Sequence, residues 1–195
     1  MGRRITREEW LERAVSALRP LFKRAGAPIP TKVRVACGFP SRNARASSRQ
    51  TIGECHDSDA GGVPQVFISP AVAEPVQVAA ILVHELIHAA IGCEHGHGPV
   101  FRKLALKLGL EGKMTATVAG ADFAADLKLL TGKLGKYPHA ALNPGGGRKR
   151  PGSRLLKASC PGCGYTVRVT RKWLDDVGAP LCPDPACDAR GMEEA

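Results

Sequence analysis

The chain is poor in aromatic residues and contains no long apolar run, and both shortages limit what it can be. Aromatic residues make up 5% of the 195 residues, so its core must be built mainly from aliphatic side chains. No stretch approaches the roughly 18 to 20 apolar residues that cross a bilayer, and the first residues lack the apolar segment of a signal peptide. These absences predict a cytoplasmic protein with no membrane partner.

Acidic residues are also in short supply. The 18 Asp and Glu residues are outnumbered by 28 Lys and Arg residues, which gives a formal net charge of +10. The excess is uneven, since residues 61–140 hold 7 basic and 6 acidic residues, whereas residues 141–175 hold 8 basic residues and 1 acidic residue. Such a concentration favours a polyanion, and we expect nonspecific DNA binding through the phosphates. A charge that only confers solubility is the alternative.

The spacing of apolar residues predicts an α+β fold. Thr6 and Glu9 have capping-box spacing and begin an amphipathic helix. Short β-prone runs at 33–37, 51–55 and 65–68 then predict a small sheet.

Three further helices follow in the predicted order. One starts at Pro75, is apolar nearly all round and stops before Gly92, so it should be buried. The next runs from Pro99 to Gly109, and a short one is expected at 122–130.

The composition also predicts where the chain divides. Residues 143–157 are basic and rich in Gly and Pro, which is typical of a linker. We therefore expect a main α+β domain at 1–142 and a small C-terminal domain at 158–195.

The buried helix carries His84-Glu85-Leu86-Ile87-His88, the HExxH pattern. Residues four apart share one helix face, so both imidazoles can reach the same metal ion. Glu85 then lies beside the ion and can act as the base that takes a proton from a metal-activated water. A chance match is the alternative, but two histidines and a glutamate are costly to bury unless a metal compensates for their desolvation.

A catalytic zinc needs a third protein ligand and keeps one open position. The segment after the helix offers four candidates, namely Cys93, Glu94, His95 and His97. A glutamate from a later element, such as Glu111, is a further alternative. The metzincin pattern is excluded, because it requires Gly at position 91 and His at position 94, where this chain has Ile and Glu.

The HELIH helix followed by His97-Gly98-Pro99-Val100-Phe101 resembles the SprT-like metallopeptidases, the family that includes Spartan. The resemblance covers residues 10–110. It implies a minimal zincin-type catalytic domain in which His97 is the third zinc ligand, with His95 as the alternative. It also implies cleavage of proteins that are bound or attached to DNA, as expected of a DNA-repair protease.

The C-terminal segment has two cysteine pairs, Cys160/Cys163 and Cys182/Cys187, with the spacing of a zinc ribbon. Four thiolates fill a tetrahedral site, so this second zinc should be structural and should supply most of the folding energy of a module this small. Disulfides are the alternative. SprT-like proteins of bacterial type often carry such a ribbon, which agrees with the resemblance.

Basic and aromatic residues of the linker and ribbon are the candidates for phosphate contacts and base stacking; they are Arg148, Lys149, Arg150, Arg168, Arg171, Lys172 and Trp173. The alternative for these residues is a solvated charged face with the tryptophan packed beneath the ribbon.

Two other functions compete with the peptidase hypothesis. One is a nucleic-acid-binding or transcription-associated adaptor in which the HExxH site is vestigial. The other is a metallohydrolase that acts on a non-peptide amide. The sequence does not indicate an oligomeric state.

Overall fold

A computed structural model describes residues 5–42, 50–58, 60–143 and 155–194. These residues form a mixed α+β structure that divides into two compact units, Met1–Gly146 and Gly147–Ala195. The division falls within the Gly- and Pro-rich segment.

Helix α1, Arg7–Ala25, starts with the predicted capping box. The Thr6 hydroxyl accepts from the Glu9 amide at 3.1 Å, and the Glu9 carboxylate accepts from the Thr6 amide at 2.8 Å. Gly26 ends the helix in the left-handed conformation, with φ of 83°. One face of α1 is buried, and the indole Nε1 of Trp10 donates to the Gly135 carbonyl at 3.0 Å. The first predicted helix is therefore confirmed.

The predicted small sheet is also confirmed. Its strands are β1 (Arg34–Cys37), β2 (Gly53–His56) and β3 (Gln65–Ile68), in the spatial order β1-β3-β2. Strand β3 pairs parallel with β1 and antiparallel with β2. Strand β2 is thus an edge of the sheet, and it lies against the next helix.

Helix α2, Pro75–Ile91, is the central element of unit 1. The Glu74 side chain caps it by accepting from the Val76 and Gln77 amides at 3.0 and 2.6 Å, and Gly92 ends it. The helix contacts three other helices and strands β2 and β3, and most of its side chains from position 78 to 88 are buried. The expectation of a buried apolar helix is therefore confirmed.

A 3₁₀ turn, Cys93–His95, follows α2 and leads into α3 (Pro99–Leu108). An antiparallel hairpin of β4 (Leu110–Lys113) and β5 (Ala116–Ala119) comes next, and α4 (Ala121–Leu134) closes the unit. Helix α4 is longer than predicted. The hairpin was not predicted, because its first strand contains Gly and two charged residues and therefore has little intrinsic β preference.

The second unit is a small β structure with a short helix. Its strands β6 (Leu155–Ser159), β7 (Thr166–Thr170) and β8 (Glu193–Glu194) are ordered β7-β6-β8, with antiparallel neighbours. Helix α5 spans Arg171–Val177, and a 3₁₀ turn spans Pro185–Cys187.

The last three residues of the segment 143–157, which the composition predicts as a linker, belong to strand β6. Strand β6 already begins at Leu155, which pairs with Thr170 of β7. The cross-strand ladder, and not the composition of the flanking residues, sets this boundary.

Among the described residues, no helix combines the length and apolar character needed to span a bilayer.

Two leucines on α4 provide a test of the core. Leu127 is 1% exposed and Leu129 is 70% exposed. We expect Leu127→Ala to lower the free energy of unfolding by about 2 to 5 kcal/mol, because it removes buried methyl groups and leaves a cavity. The matched control Leu129→Ala should change it by less than about 0.5 kcal/mol. Urea unfolding measures both variants, and equal effects would contradict the packing of α4.

Candidate metal centres

The first candidate centre consists of three imidazoles whose Nε2 atoms converge. His84 and His88 lie one helical turn apart on α2, and His97 follows the 3₁₀ turn. Nε2 of His97 is 3.1 Å from Nε2 of His84 and 3.3 Å from Nε2 of His88. The three residues form one group of potential metal ligands, with ligand atoms within 4.8 Å of one another.

Phe101 lies beneath the three imidazoles and packs against each of them. Its ring centroid is 4.8 Å from that of His84, 4.6 Å from that of His88 and 5.0 Å from that of His97. The ring is fully buried, and its position follows from the apolar face of α3. An apolar side chain at this place restricts the rotamers of all three histidines and keeps water from one side of the group.

The segment that carries His97 is attached to the end of β2. The carboxylate of Asp57 accepts a hydrogen bond from the Cys93 amide at 2.6 Å, and the Cys93 thiol donates to the Cys55 carbonyl at 3.4 Å. The amide of Cys93 lowers the pKa of Asp57, so the carboxylate remains an acceptor at neutral pH. These contacts determine where His97 meets the two histidines of α2.

The environment keeps the imidazoles neutral. Burial, together with the neighbouring histidines, lowers the pKa of His84 to about 3 and that of His88 to about 4. Burial also lowers the pKa of His97. Each ring therefore has an unprotonated nitrogen at neutral pH, which is the form that binds a metal ion.

Glu85 directly follows His84 on α2 and is buried, with 6% of its surface exposed. Burial, and then the negative charge of Glu54, raises the pKa of Glu85 to about 8. The side chain occupies the space over Gly53 of β2, where a Cβ atom would clash with the carboxylate and with Ile81. The absence of a side chain at position 53 thus leaves room for the buried carboxylate.

The other sequence candidates for the third ligand lie outside the group. His95 is exposed, and its Nε2 is 3.7 Å from a Glu94 oxygen. Glu111 is exposed on β4, where its side chain packs over Gly120. Burial raises the pKa of Cys93 to about 11, so this thiol stays protonated. Among the described His, Cys, Asp and Glu residues, the group has three members, which leaves a fourth tetrahedral position without a protein ligand.

The second candidate centre is the set of cysteines Cys160, Cys163, Cys182 and Cys187, whose Sγ atoms lie within 4.8 Å of one another. The Sγ atoms of Cys163 and Cys182 are 3.5 Å apart, and all four cysteines are free. The structure therefore contains no disulfide among them, in agreement with the preference for metal ligation.

Tight turns present the sulfurs to one another. The Gly164 amide donates to the Cys160 carbonyl at 2.9 Å, and Gly164 has a φ of 77° that favours glycine. The amide of Gly162 points at the Cys160 sulfur at 3.3 Å. Backbone amides, that of Cys163 first, lower the pKa of Cys160 to about 7, whereas the other sulfurs raise the pKa of Cys187 to about 12. Four thiolates would repel one another unless a cation lies between them.

Unit 2 has a small buried core. Its buried core consists of Ala158, Cys160, Cys182 and Met192. Two of these four residues belong to the cysteine group, so the candidate metal site is also the centre of the fold.

The candidate nucleic-acid residues have different surroundings. Arg148, Lys149 and Arg150 lie outside the described residues. Arg171 is paired with the Glu194 carboxylate through its two terminal nitrogens, Nη1 and Nη2. Its Nη1 also lies 3.8 Å from Oδ1 of Asp175.

Exposed candidates remain near the N-terminal end of α5. Arg168 is exposed, Lys172 places its Nζ 5.1 Å from the Trp173 ring centroid, and half of the Trp173 surface, 51%, is accessible. The indole is thus not packed beneath the ribbon.

No family model, curated protein or solved structure matches this chain.

Some residues around the histidine group are not indicated by the sequence. Thr117 of β5 has its Oγ1 2.8 Å from Nδ1 of His84, and Asp57 and Gly53 contact the site from β2 and its end. Thr117 could have been found only if the β4–β5 hairpin had been recognised. Asp57 and Gly53 have no spacing relation to the HExxH motif, because they reach it through tertiary packing.

The two groups predict two zinc ions per chain. We expect the double variant His84→Ala/His88→Ala to retain about one ion, which the cysteine thiolates hold. We expect the double variant Cys163→Ser/Cys182→Ser to lose the ion at the cysteines, and unit 2 should then unfold. Cys37→Ser is the matched control, because Cys37 belongs to neither group. Native mass spectrometry measures the stoichiometry. Two ions retained by either double variant would contradict the assignment.

Proposed function

We propose that the chain is a zinc-dependent peptidase of the zincin type, with His84, His88 and His97 as metal ligands and Glu85 as general base. The observation that carries the proposal is the convergence of three neutral imidazoles, two of them on the helix that also carries the buried Glu85 carboxylate. The resemblance of the HELIH and HGPVF segments to SprT-like metallopeptidases points to the same chemistry.

The separations between the nitrogens support zinc as the metal. With Zn–N distances of 2.0 to 2.1 Å, neighbouring nitrogens of a tetrahedral site lie about 3.3 to 3.4 Å apart. The measured distances of 3.1 and 3.3 Å are close to this value. For four thiolates at about 2.3 Å from zinc, the corresponding separation is about 3.8 Å, compared with 3.5 Å between Cys163 and Cys182.

Bound zinc would polarise the peptide carbonyl and lower the pKa of a water molecule to roughly 7. Glu85 takes a proton from the attacking water and gives it to the leaving amine nitrogen. A divalent ion held by His84, His88 and His97 would favour the ionised form of Glu85, which is the form that accepts a proton. The buried position beside Gly53 shields this proton from bulk solvent.

The role of Glu85 as the base can be tested by replacing single carboxylates with amides. We expect Glu85→Gln to lower the rate of casein hydrolysis by at least about 100-fold, because the amide cannot accept the proton. Zinc content should not change, since Glu85 is not a ligand. The matched control Glu94→Gln removes an exposed carboxylate near the same site and should retain the wild-type rate.

This comparison also separates the peptidase from an adaptor with a vestigial site. Wild-type protein that shows no hydrolysis of casein or of a DNA-bound protein, with or without a chelator, would contradict the peptidase. Full activity of Glu85→Gln would contradict the role of the base.

We further propose that the substrates are proteins associated with DNA and that unit 2 is a zinc ribbon that binds the nucleic acid. The net charge of +10 and the exposed Arg168, Lys172 and Trp173 support this. An accessible indole can stack on an unpaired base while the cations contact phosphates. Arg171 contributes less directly, because Glu194 already occupies its guanidinium group.

DNA binding should depend on both salt and the indole. We expect the affinity for a fluorescent single-stranded oligonucleotide to fall steeply between about 50 and 200 mM salt, because phosphate contacts release counterions. Trp173→Ala should weaken binding by about 1 to 3 kcal/mol through the loss of stacking. Leu181→Ala, which alters another exposed apolar residue of unit 2, is the control. Fluorescence anisotropy measures binding by the unmodified protein and by both variants. Binding that does not depend on salt would contradict the proposal.

A further inference from the structure

The hairpin that the sequence does not predict brings a hydroxyl to one of the candidate ligands. We infer that Thr117 is a positioning residue for the histidine site: its Oγ1 accepts the Nδ1–H of His84 and thereby directs the Nε2 lone pair of His84 towards the other two imidazoles. The inference rests on the proposed metal site, and it holds whether the substrate is a peptide or another amide.

The chemical basis is the tautomerism of neutral histidine. A neutral imidazole carries one proton, and the nitrogen that holds it cannot bind a metal. His84 can bind through Nε2 only when the proton is on Nδ1. The 2.8 Å separation between Nδ1 and the Thr117 hydroxyl oxygen provides an acceptor for that proton. An acceptor at Nδ1 also fixes the rotation of the ring.

The strand geometry explains why position 117 supplies this group. Along β5, Thr117 and Ala119 are partly buried, whereas Ala116 and Val118 are exposed. The alternation places Thr117 on the inner side of the strand, which contacts α2. Pairing of Thr117 with Gly112 of β4 sets the register. A shift by one residue would replace the hydroxyl with an alanine or valine side chain.

The His88 ring differs from the His84 ring in how it is held. Its Nδ1 is buried and has no hydrogen-bond partner among the described residues. The His88 ring is held instead by stacking on Phe101, with centroids 4.6 Å apart and an interplanar angle of 29°. The ring of His84 is tilted by 57° to Phe101, so stacking constrains it less. Thr117 therefore provides the polar restraint on the α2 imidazole that is less constrained by packing.

The test is zinc affinity of the full-length protein, measured by competition with a chelator and followed through the NMR signals of the His84 ring. This probe reports on the histidine site separately from the thiolates. We expect Thr117→Val to weaken zinc binding about 10- to 100-fold. Valine keeps the β-branched shape, so β5 should persist. Thr117→Ser should restore affinity, because the hydroxyl returns.

Thr115→Val is the matched control, since Thr115 is exposed in the turn of the same hairpin. Unchanged zinc affinity of Thr117→Val, or a failure of serine to restore it, would overturn the inference.

A second measurement does not depend on any variant. In the unmodified protein, long-range proton–nitrogen correlation spectra should show His84 as the Nδ1–H tautomer. The Nε2–H tautomer would overturn the inference even if Thr117→Val proved unfolded.

The outcomes also separate this inference from the peptidase. Zinc binding that weakens in Thr117→Val, in a protein that hydrolyses no substrate, would support the positioning role and contradict the proposed reaction. Hydrolysis of a protein substrate, combined with a zinc affinity that does not change in Thr117→Val, would support the proposed reaction and contradict the positioning role. The absence of zinc at the histidines would overturn both.

Discussion

The structure of unit 1 depends on one constraint, the burial of a polar surface of α2 within an otherwise apolar core. His88 and Glu85 are buried among aliphatic residues, and the pKa values of both are displaced in the directions that favour the neutral forms. Burial of such groups is unfavourable unless a partner compensates for lost hydration. The three converging imidazoles provide the place for that partner, and the surrounding elements are arranged to complete it.

Each neighbouring element supplies a different part of the site. Helix α3 contributes the Phe101 ring on which the imidazoles pack, and strand β2 contributes the space above Gly53 and, just beyond its end, Asp57. Strand β5 contributes the Thr117 hydroxyl. The small sheet and hairpin therefore act as supports for a helix whose chemistry is already contained in its sequence. Unit 2 differs, because two of its potential ligands, Cys160 and Cys182, form half of its buried core.

Local patterns were enough to predict the four helices of unit 1 and its first sheet. The capping box at Thr6, the Pro75 start of α2 and the Pro99 start of α3 are local signals, and the structure has these elements with boundaries close to those predicted. The HExxH spacing and the cysteine pairs are also local, and the structure brings both sets of side chains together. The first strand of the β4–β5 hairpin has little β preference, and the Thr117 contact with His84 joins residues 33 positions apart, which propensity does not encode.

The close approach of Glu85 to Gly53 limits which substitutions strand β2 can tolerate. A β-carbon at that position would meet the Glu85 carboxylate and Ile81, whereas the residue at the other end of the same strand, His56, is exposed. A substitution at position 53 would therefore displace the Glu85 carboxylate and the Ile81 side chain of the core. Tolerance to substitution along β2 is therefore lowest at Gly53, where the Glu85 carboxylate already fills the space that a side chain would need.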